Sequence, residues 1–124
     1  MKRKTLFFLF SCSTVFAFAA NTFVTTHGDD AQDGTSWESS MSSIQAAIDA
    51  SSSGDTVFIA EGTYNQSVTL KDGVHILGGY DPSTGKRDYE TYPTVLDGTN
   101  LGKALISQGS AFKVPTYCDG LILQ

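Results

Sequence analysis

The chain after Gly54 consists of very short β-prone segments separated by turns, and this pattern limits the fold more than any other feature. Each segment has three to five residues rich in valine, isoleucine, leucine or threonine, as strands have. Turns such as Asp97-Gly98 and Asp119-Gly120 lie between them. The sequence predicts strands at residues 56–60, 67–70, 74–77, 94–96, 104–107 and 120–123. A fold with many brief strands and tight corners is therefore expected.

Two folds are compatible with strands this short. One is an antiparallel sandwich, although a sandwich favours somewhat longer strands with polar outer faces. The other is a parallel β-helix, in which three short strands and three turns form one coil and successive coils stack. The strand pattern leaves both folds open. An amphipathic helix ahead of the first strand would cover the exposed edge of a first coil, which favours the β-helix.

Such a helix is predicted, together with its lead-in, over residues 35–53. Alanines favour the helix, and a Ser-Ser-Ser-Gly sequence ends it. Thr35 and Glu38 have the spacing of a capping box, and Ser39 or Ser40 would cap a later start. Apolar residues fall on one helical face at intervals of four, three and four positions. These residues are Trp37, Met41, Ile44 and Ile48.

The first 20 residues have the three parts of a secretory signal peptide. Residues 2–4 are basic, an apolar stretch follows, and small residues precede a cleavage point after Ala19 or Ala20. A transmembrane helix is disfavoured, because the polar residues 11–14 interrupt an apolar run that is short of the ~20 residues a bilayer needs. A lipoprotein modified at Cys12 is an alternative. The expected location is outside the cell, either secreted or at the cell surface.

The charge of the chain excludes some partners. The chain has 8 Lys and Arg residues against 13 Asp and Glu residues, a formal net charge of −5. Removal of the leader takes away three basic residues and no acidic one, which leaves five basic and 13 acidic residues and a charge of −8. This acidity argues against a nucleic-acid partner, which needs clustered cations. Loss of Cys12 leaves Cys118 alone, so no intrachain disulfide is expected.

Several longer motifs resemble known proteins. Residues 24–37 (VTTHGDDAQDGTSW), 44–50 (IQAAIDA) and 54–64 (GDTVFIAEGTY) are similar to the opening of secreted right-handed parallel β-helix proteins of the pectate-lyase-like superfamily. Residues 70–80 (LKDGVHILGGY) with 93–98 (PTVLDG) resemble the first coil of bacterial surface β-helix proteins of the polymorphic outer-membrane type. The resemblance covers nearly all of the chain after the leader. It is specific for the fold and weak for activity, because one fold hosts many functions.

The resemblance implies an all-β solenoid, namely a right-handed parallel β-helix with an N-terminal capping α-helix. It divides the chain into a signal peptide at residues 1–20, a lead-in strand and capping helix at residues 21–55, and the first coils at residues 56–124.

In proteins of this kind, the run after a Lys-Asp-Gly turn is usually the first strand of a coil. By that analogy residues 74–77 and 121–123 stack in one sheet, and residues 94–96 and 104–107 form the other two faces of the coil between them. About one full coil plus partial coils is therefore expected. Because stacked repeats normally need at least ~3 units, we expect an N-terminal piece of a longer protein, truncated at its C-terminus, with further coils as its partner.

An acidic loop is a candidate calcium site. Asp29, Asp30 and Asp33 lie between glycines, and Ca²⁺ takes 6–8 oxygen ligands. The EF-hand spacing fails, because Ala31 occupies a position that requires Asp or Asn. The alternative is a turn in which the carboxylates bond to their own backbone, and that alternative is favoured.

The insertion at residues 80–92 is a candidate sugar-binding loop. Loops in this position border the binding groove in the families that the chain resembles. Aromatic rings stack on sugars, and cations pair with uronate carboxylates. The candidate residues are Tyr80, Lys86, Arg87, Tyr89 and Tyr92. The alternative is a surface loop whose tyrosines pack against the strands.

No residue is predicted to be catalytic. His27 and His75 lie on separate elements without a nucleophile motif, and Cys118 has no sequence-local partner to activate it. The favoured function is therefore the non-catalytic, structural N-terminus of a secreted or surface β-helix protein that is glycan-associated or adhesin-like. The alternative is the N-terminus of a polysaccharide lyase or glycoside hydrolase acting on acidic polysaccharide, with its active site in later coils.

Overall fold

The computed structural model describes residues 18–107 and 112–124 of the chain. Most of the predicted leader therefore lies outside the described residues. Within them one short helix, α1 (Ile44–Ala50), accompanies nine strands. The strands are β1 (Asn21–Val24), β2 (Thr56–Ala60), β3 (Gly62–Tyr64), β4 (Val68–Thr69), β5 (His75–Tyr80), β6 (Thr94–Leu96), β7 (Leu105–Ile106), β8 (Cys118–Asp119) and β9 (Leu121–Leu123).

The strands form three sheets in which all of the strand pairs are parallel. The first sheet has the order β1-β2-β5-β8, the second β3-β6-β9, and the third β4-β7. The chain visits these sheets in a fixed order, through β2, β3 and β4, then β5, β6 and β7, then β8 and β9. The prediction of an all-β protein is confirmed to the extent that the chain is mostly β-structure in parallel sheets with little helix.

The core lies between the sheets, and its side chains align across paired strands. In the first sheet Val24 pairs with Ile59, and Val57 pairs with Ile76; all four side chains are fully buried. Each buried Val or Ile contributes about 1.5–3 kcal/mol relative to an exposed one. The core consists of Val24, Met41, Ile44, Ala47, Ile48, Val57, Ile59, Tyr64, Val68, Val74, Ile76 and Leu96.

The expected stacking of the last apolar run was wrong. Residues 121–123 form β9, which pairs with β6 in the second sheet and not with β5 in the first. The neighbour of β5 is β8, a two-residue strand just before Gly120. Gly120 has a φ of 72°, a conformation that glycine adopts readily, and the chain turns there from the first sheet to the second. The apolar run therefore begins after the corner.

The structure also contains more passes through the sheets than the sequence predicted. Two complete passes are present, followed by β8 and β9, where about one was expected. The difference arises at β3 (Gly62–Tyr64), which lies outside the predicted strands. In the structure β3 is a strand in register with β6.

The helix is shorter than its apolar spacing predicted. It begins after Ser43, whose hydroxyl accepts a hydrogen bond from the Ala46 amide, so none of Thr35, Ser39 and Ser40 is the N-cap. Met41 instead forms a bridge with β1, where its amide donates to the Phe23 carbonyl at 2.9 Å and its carbonyl accepts from the Thr25 amide at 3.0 Å. The backbone around Met41 thus satisfies the outer edge of β1, and this pairing excludes a helix there.

The helix packs over the same end of the sheets. Ile44, Ala47 and Ile48 are its buried residues. The Gln45 side chain accepts a hydrogen bond from the Thr69 amide of β4 at 2.7 Å, so it occupies the backbone donor on the outer edge of that strand. Loop residues therefore cover the outer edge of β1, and a helix side chain covers that of β4.

Thr94 holds the corner between the first and second sheets. Its side chain is fully buried, and its hydroxyl accepts from the Gly79 amide at 2.9 Å and donates to the Ala60 carbonyl at 3.0 Å. Gly79 and Ala60 lie near the ends of β5 and β2, and Thr94 begins β6. One hydroxyl thus joins three strands.

We predict that Thr94→Val lowers the free energy of unfolding by about 1–3 kcal/mol, because the buried Gly79 amide loses its acceptor while side-chain volume is kept. Urea unfolding measures the change. Thr63→Val, at an exposed position of β3, is the control and should shift stability by no more than about 0.5 kcal/mol. Equal losses in the two variants would contradict the role of Thr94.

Candidate functional site

The loop between β5 and β6, residues 81–93, folds back onto the strands that flank it. Two glycines permit this close approach. A Cβ on Gly79 would lie 2.8 Å from the Cα of Tyr89, and a Cβ on Gly78 would collide with the carbonyl oxygen of Gly120. Because no larger residue fits at either position, the Gly-Gly pair allows the loop and the next pass of the chain to pack against β5.

Arg87 connects this loop to two passes of the chain through a hydrogen bond and an ion pair. Its Nε donates to the Gly78 carbonyl at 3.0 Å, and its Nη2 lies 2.7 Å from an Asp119 carboxylate oxygen in β8. The guanidinium carbon lies 5.7 Å from the centre of the Tyr80 ring, within the range of a cation–π contact. The hydrogen bond from Arg87, together with its charge, lowers the pKa of the Asp119 carboxyl below its ordinary value.

Four aromatic rings cluster on the outer face of the first sheet. Phe23 of β1 stacks on Phe58 of β2 at 5.4 Å, and Phe58 meets Tyr80 edge-on at 5.0 Å. Trp37 lies 4.7 Å from Phe23 and 5.7 Å from Tyr80, measured between ring centres. All four side chains are half-buried. Trp37 was predicted on the buried face of a helix, and it lies instead in this outer cluster.

A cleft of about 670 Å³ lies beside the loop. Tyr89, Glu90 and Pro93 line it from the loop, and residues 119–122 line it from β8 and β9. Tyr89 is 56% exposed. The cleft therefore presents an aromatic ring, two carboxylates and an apolar wall, a combination that suits a ligand with both apolar faces and hydroxyl donors.

The five predicted sugar-binding residues do not form a single surface. Tyr80 and Arg87 contact each other, and Tyr89 lines the cleft. Lys86 is exposed, and its backbone carbonyl accepts from the Asp81 amide at 2.9 Å. Tyr92 is half-buried and does not line the cleft.

Sequence reasoning missed the other cleft residues. Glu90 and Pro93 lie in the same loop, whereas Asp119 enters through β8. Asp119 was assigned to a turn, and nothing in the sequence marks the pairing of β8 with β5. For the aromatic cluster a signal existed, because Phe23 and Phe58 occupy matching positions of paired strands.

The three carboxylates of the acidic loop bond to nearby backbone. Asp29 accepts from the Ala31 amide at 2.9 Å, and Asp33 accepts from the Thr35 amide at 3.0 Å. Asp30 accepts from the amides of residues 42 and 43 at 2.9 and 2.8 Å, and these hydrogen bonds lower its pKa. Among the residues that the structure describes, no group of three or more His, Cys, Asp or Glu side chains is arranged to hold a metal ion. The calcium site stays a prediction.

A histidine and a cysteine, two residue types that often serve in catalysis, lie on the neighbouring strands β5 and β8. His75 Nδ1 accepts a hydrogen bond from the Tyr117 amide at 3.2 Å, and the two rings lie 4.9 Å apart. Burial, followed by the charge of Asp119, raises the pKa of the Cys118 thiol. A raised pKa reduces the thiolate fraction and so makes Cys118 a poor nucleophile.

Comparison with known proteins gave no match to any family model, to curated proteins or to solved structures. Within residues 18–107 and 112–124, no helix has both the length and the apolar character needed to cross a membrane.

We predict that the contribution of Asp119 to stability depends on pH. The pKa of Asp119 is lower in the folded protein than its ordinary value of about 3.9. The ionised carboxylate therefore stabilises the fold at pH values above this ordinary pKa. The contribution disappears as the pH falls through the lowered pKa. Asp119→Asn should therefore lower the melting temperature at pH 7 and have a smaller effect at pH 2.

A second background tests the cause of this pH dependence. In Arg87→Ala protein the partner of the carboxylate is gone, so Asp119→Asn should have little further effect at either pH. A loss of equal size with and without Arg87 would show that the ion pair is not the source.

Proposed function

We propose that the chain forms the N-terminal coils of a right-handed parallel β-helix. The observation that supports this most is the fixed order in which the chain visits three parallel sheets, with each strand paired in parallel to its counterpart one pass earlier. A β-helix has this topology, because three strands form one coil and each coil pairs with the next. The edge-covering contacts of α1 and of the Met41 segment suit an N-terminal cap.

We further propose that the protein is secreted or held at the cell surface and that this part of it is structural and non-catalytic. The basic start, apolar stretch and small residues of the first 20 positions support export. Further coils of the same protein are the proposed partner of the last pass. In support, Ile106, Ile122 and Leu123 of β7 and β9 are 37–51% exposed, whereas the large apolar residues of β1 to β6 are buried or half-buried.

Glycan binding is proposed at the cleft beside Tyr89. An exposed aromatic ring offers its face to a sugar, and the carboxylates of Glu90 and Asp119 accept hydrogen bonds from hydroxyl groups. The apolar wall comes from Leu121 and Ile122.

The charge of this cleft favours a neutral glycan over a uronate. Arg87 would be the cation for a uronate, but it is already bonded to Gly78 and Asp119. Glu90 adds a negative charge to the wall, and the chain without its leader has a formal charge of −8 with five basic and 13 acidic residues. An acidic polysaccharide would therefore be repelled.

We predict that Tyr89→Ala weakens binding of neutral oligosaccharides by about 2–10-fold, the range expected for loss of one aromatic stacking contact. A glycan array that includes neutral chains and polyuronates identifies the ligand, and titration calorimetry measures the change. Tyr117→Ala is the matched control, because Tyr117 is 63% exposed and lies outside the cleft. It should bind as the unaltered protein does.

Two results would count against this function. Equal binding by both variants would show that the glycan does not bind in the cleft. Release of unsaturated or reducing sugars from a polyuronate by the purified chain would favour the alternative, a polysaccharide lyase or glycoside hydrolase.

A further inference from the structure

The junction between the predicted leader and β1 is bonded to a buried carboxylate. The Ala20 amide donates to Oδ1 of Asp55 at 2.8 Å, and the Ala20 carbonyl accepts from the Thr56 amide at 3.1 Å. The second carboxylate oxygen, Oδ2, accepts from the Ser52 amide at 2.8 Å. Asp55 is only 9% exposed. These hydrogen bonds join Ala20, immediately ahead of β1, to Asp55 and Thr56.

Ala20 and the two residues before it are exposed. Phe18 is 84% exposed, and Ala19 is exposed as well, at the rim of a cleft of about 330 Å³ that also contains Asp55. Cleavage after Ala19 would preserve both hydrogen bonds of Ala20. Cleavage after Ala20, the other position compatible with the signal-peptide pattern, would remove both of them.

We propose that the mature chain begins at Ala20 and that its new α-ammonium group forms an ion pair with the buried carboxylate of Asp55. This inference rests on the proposed export of the protein. A signal peptidase hydrolyses the Ala19–Ala20 peptide bond with one water molecule. The C–N bond breaks, the oxygen of the water goes to the new carboxylate of Ala19, and both of its protons go to the nitrogen of Ala20, which becomes an ammonium group at the position of the former amide.

The physical consequence is a stronger contact after cleavage than before it. In the uncleaved chain Asp55 accepts a hydrogen bond from a neutral amide. In the cleaved chain the same oxygen faces a cation, and hydrogen bonds between ionised partners are about twice as strong as neutral ones. Asp55 is 9% exposed, so the carboxylate partner is largely buried. Removal of the leader thus strengthens the contact between the start of β1 and the start of β2.

The first experiment determines the N-terminus. The full chain is expressed with its own leader in a secreting host, and the exported protein is analysed by intact mass and N-terminal sequencing. The expected first residue is Ala20. A first residue of Asn21, or any other cut, would overturn this inference while leaving export intact. Retention of the whole leader would overturn export as well. Neither result bears on the glycan test, so the two proposals fail separately.

The second experiment measures the ion pair. Acetylation of the Ala20 amine removes its charge and keeps an N–H donor. We expect acetylation to lower the melting temperature by about 4–8 °C, and to have little effect in Asp55→Asn protein. Asp72→Asn is the matched control, because Asp72 also accepts two backbone amides, from Lys113 and Val114. It should retain the full effect of acetylation. An equal drop in the Asp55→Asn and Asp72→Asn proteins would overturn the ion pair.

A third measurement needs no substitution and therefore does not depend on the folding of a variant. An ion pair with Asp55 raises the pKa of the amine and so slows its acylation. At neutral pH the amine of the chain that begins at Ala20 should react at least about tenfold more slowly than that of a chain that begins at Ala19. Equal rates would show that the amine does not face the carboxylate.

Discussion

Backbone hydrogen bonding between successive passes of the chain is the interaction on which the whole structure depends. The strands have two to six residues, and none could persist alone. Each is held because its amides and carbonyls pair with an equivalent strand one pass away, which also aligns the buried side chains of Val24, Val57, Ile59 and Ile76 in rows. Packing and pairing therefore reinforce each other: a shift of one residue would turn each row outward.

The sequence predicted those strands whose whole hydrophobic run lies within a single sheet. Residues 56–60 and 94–96 are strands with the predicted bounds, because each lies between clear turn signals. The strands β3 and β8 were missed, since a three-residue segment with Gly62 and a pair formed by Cys118 and Asp119 have no strand composition of their own. Their conformation comes from the neighbouring pass, which local sequence cannot reveal.

Dependence on distant partners also explains why the length of the helix and part of the site were not predicted. The apolar residues from Trp37 to Ile48 do all pack, but on different partners, so their helical spacing predicted a longer helix than the seven residues of α1. At the site, sequence reasoning found the loop and the exposed Tyr89. It could not place Arg87, because the partner that fixes the guanidinium, Asp119, is 32 residues away and arrives with a strand that the sequence does not signal.

The two ends of the sheets are not equivalent, and this gives the assembly a direction. The Met41 segment and Gln45 already occupy backbone groups on the outer edges of β1 and β4. Strands from another molecule are thereby disfavoured at these two edges, whereas β7, β8 and β9 are the last strands of their sheets among the described residues. During synthesis, which proceeds from the N-terminus, each later strand would thus find the preceding pass already available for pairing.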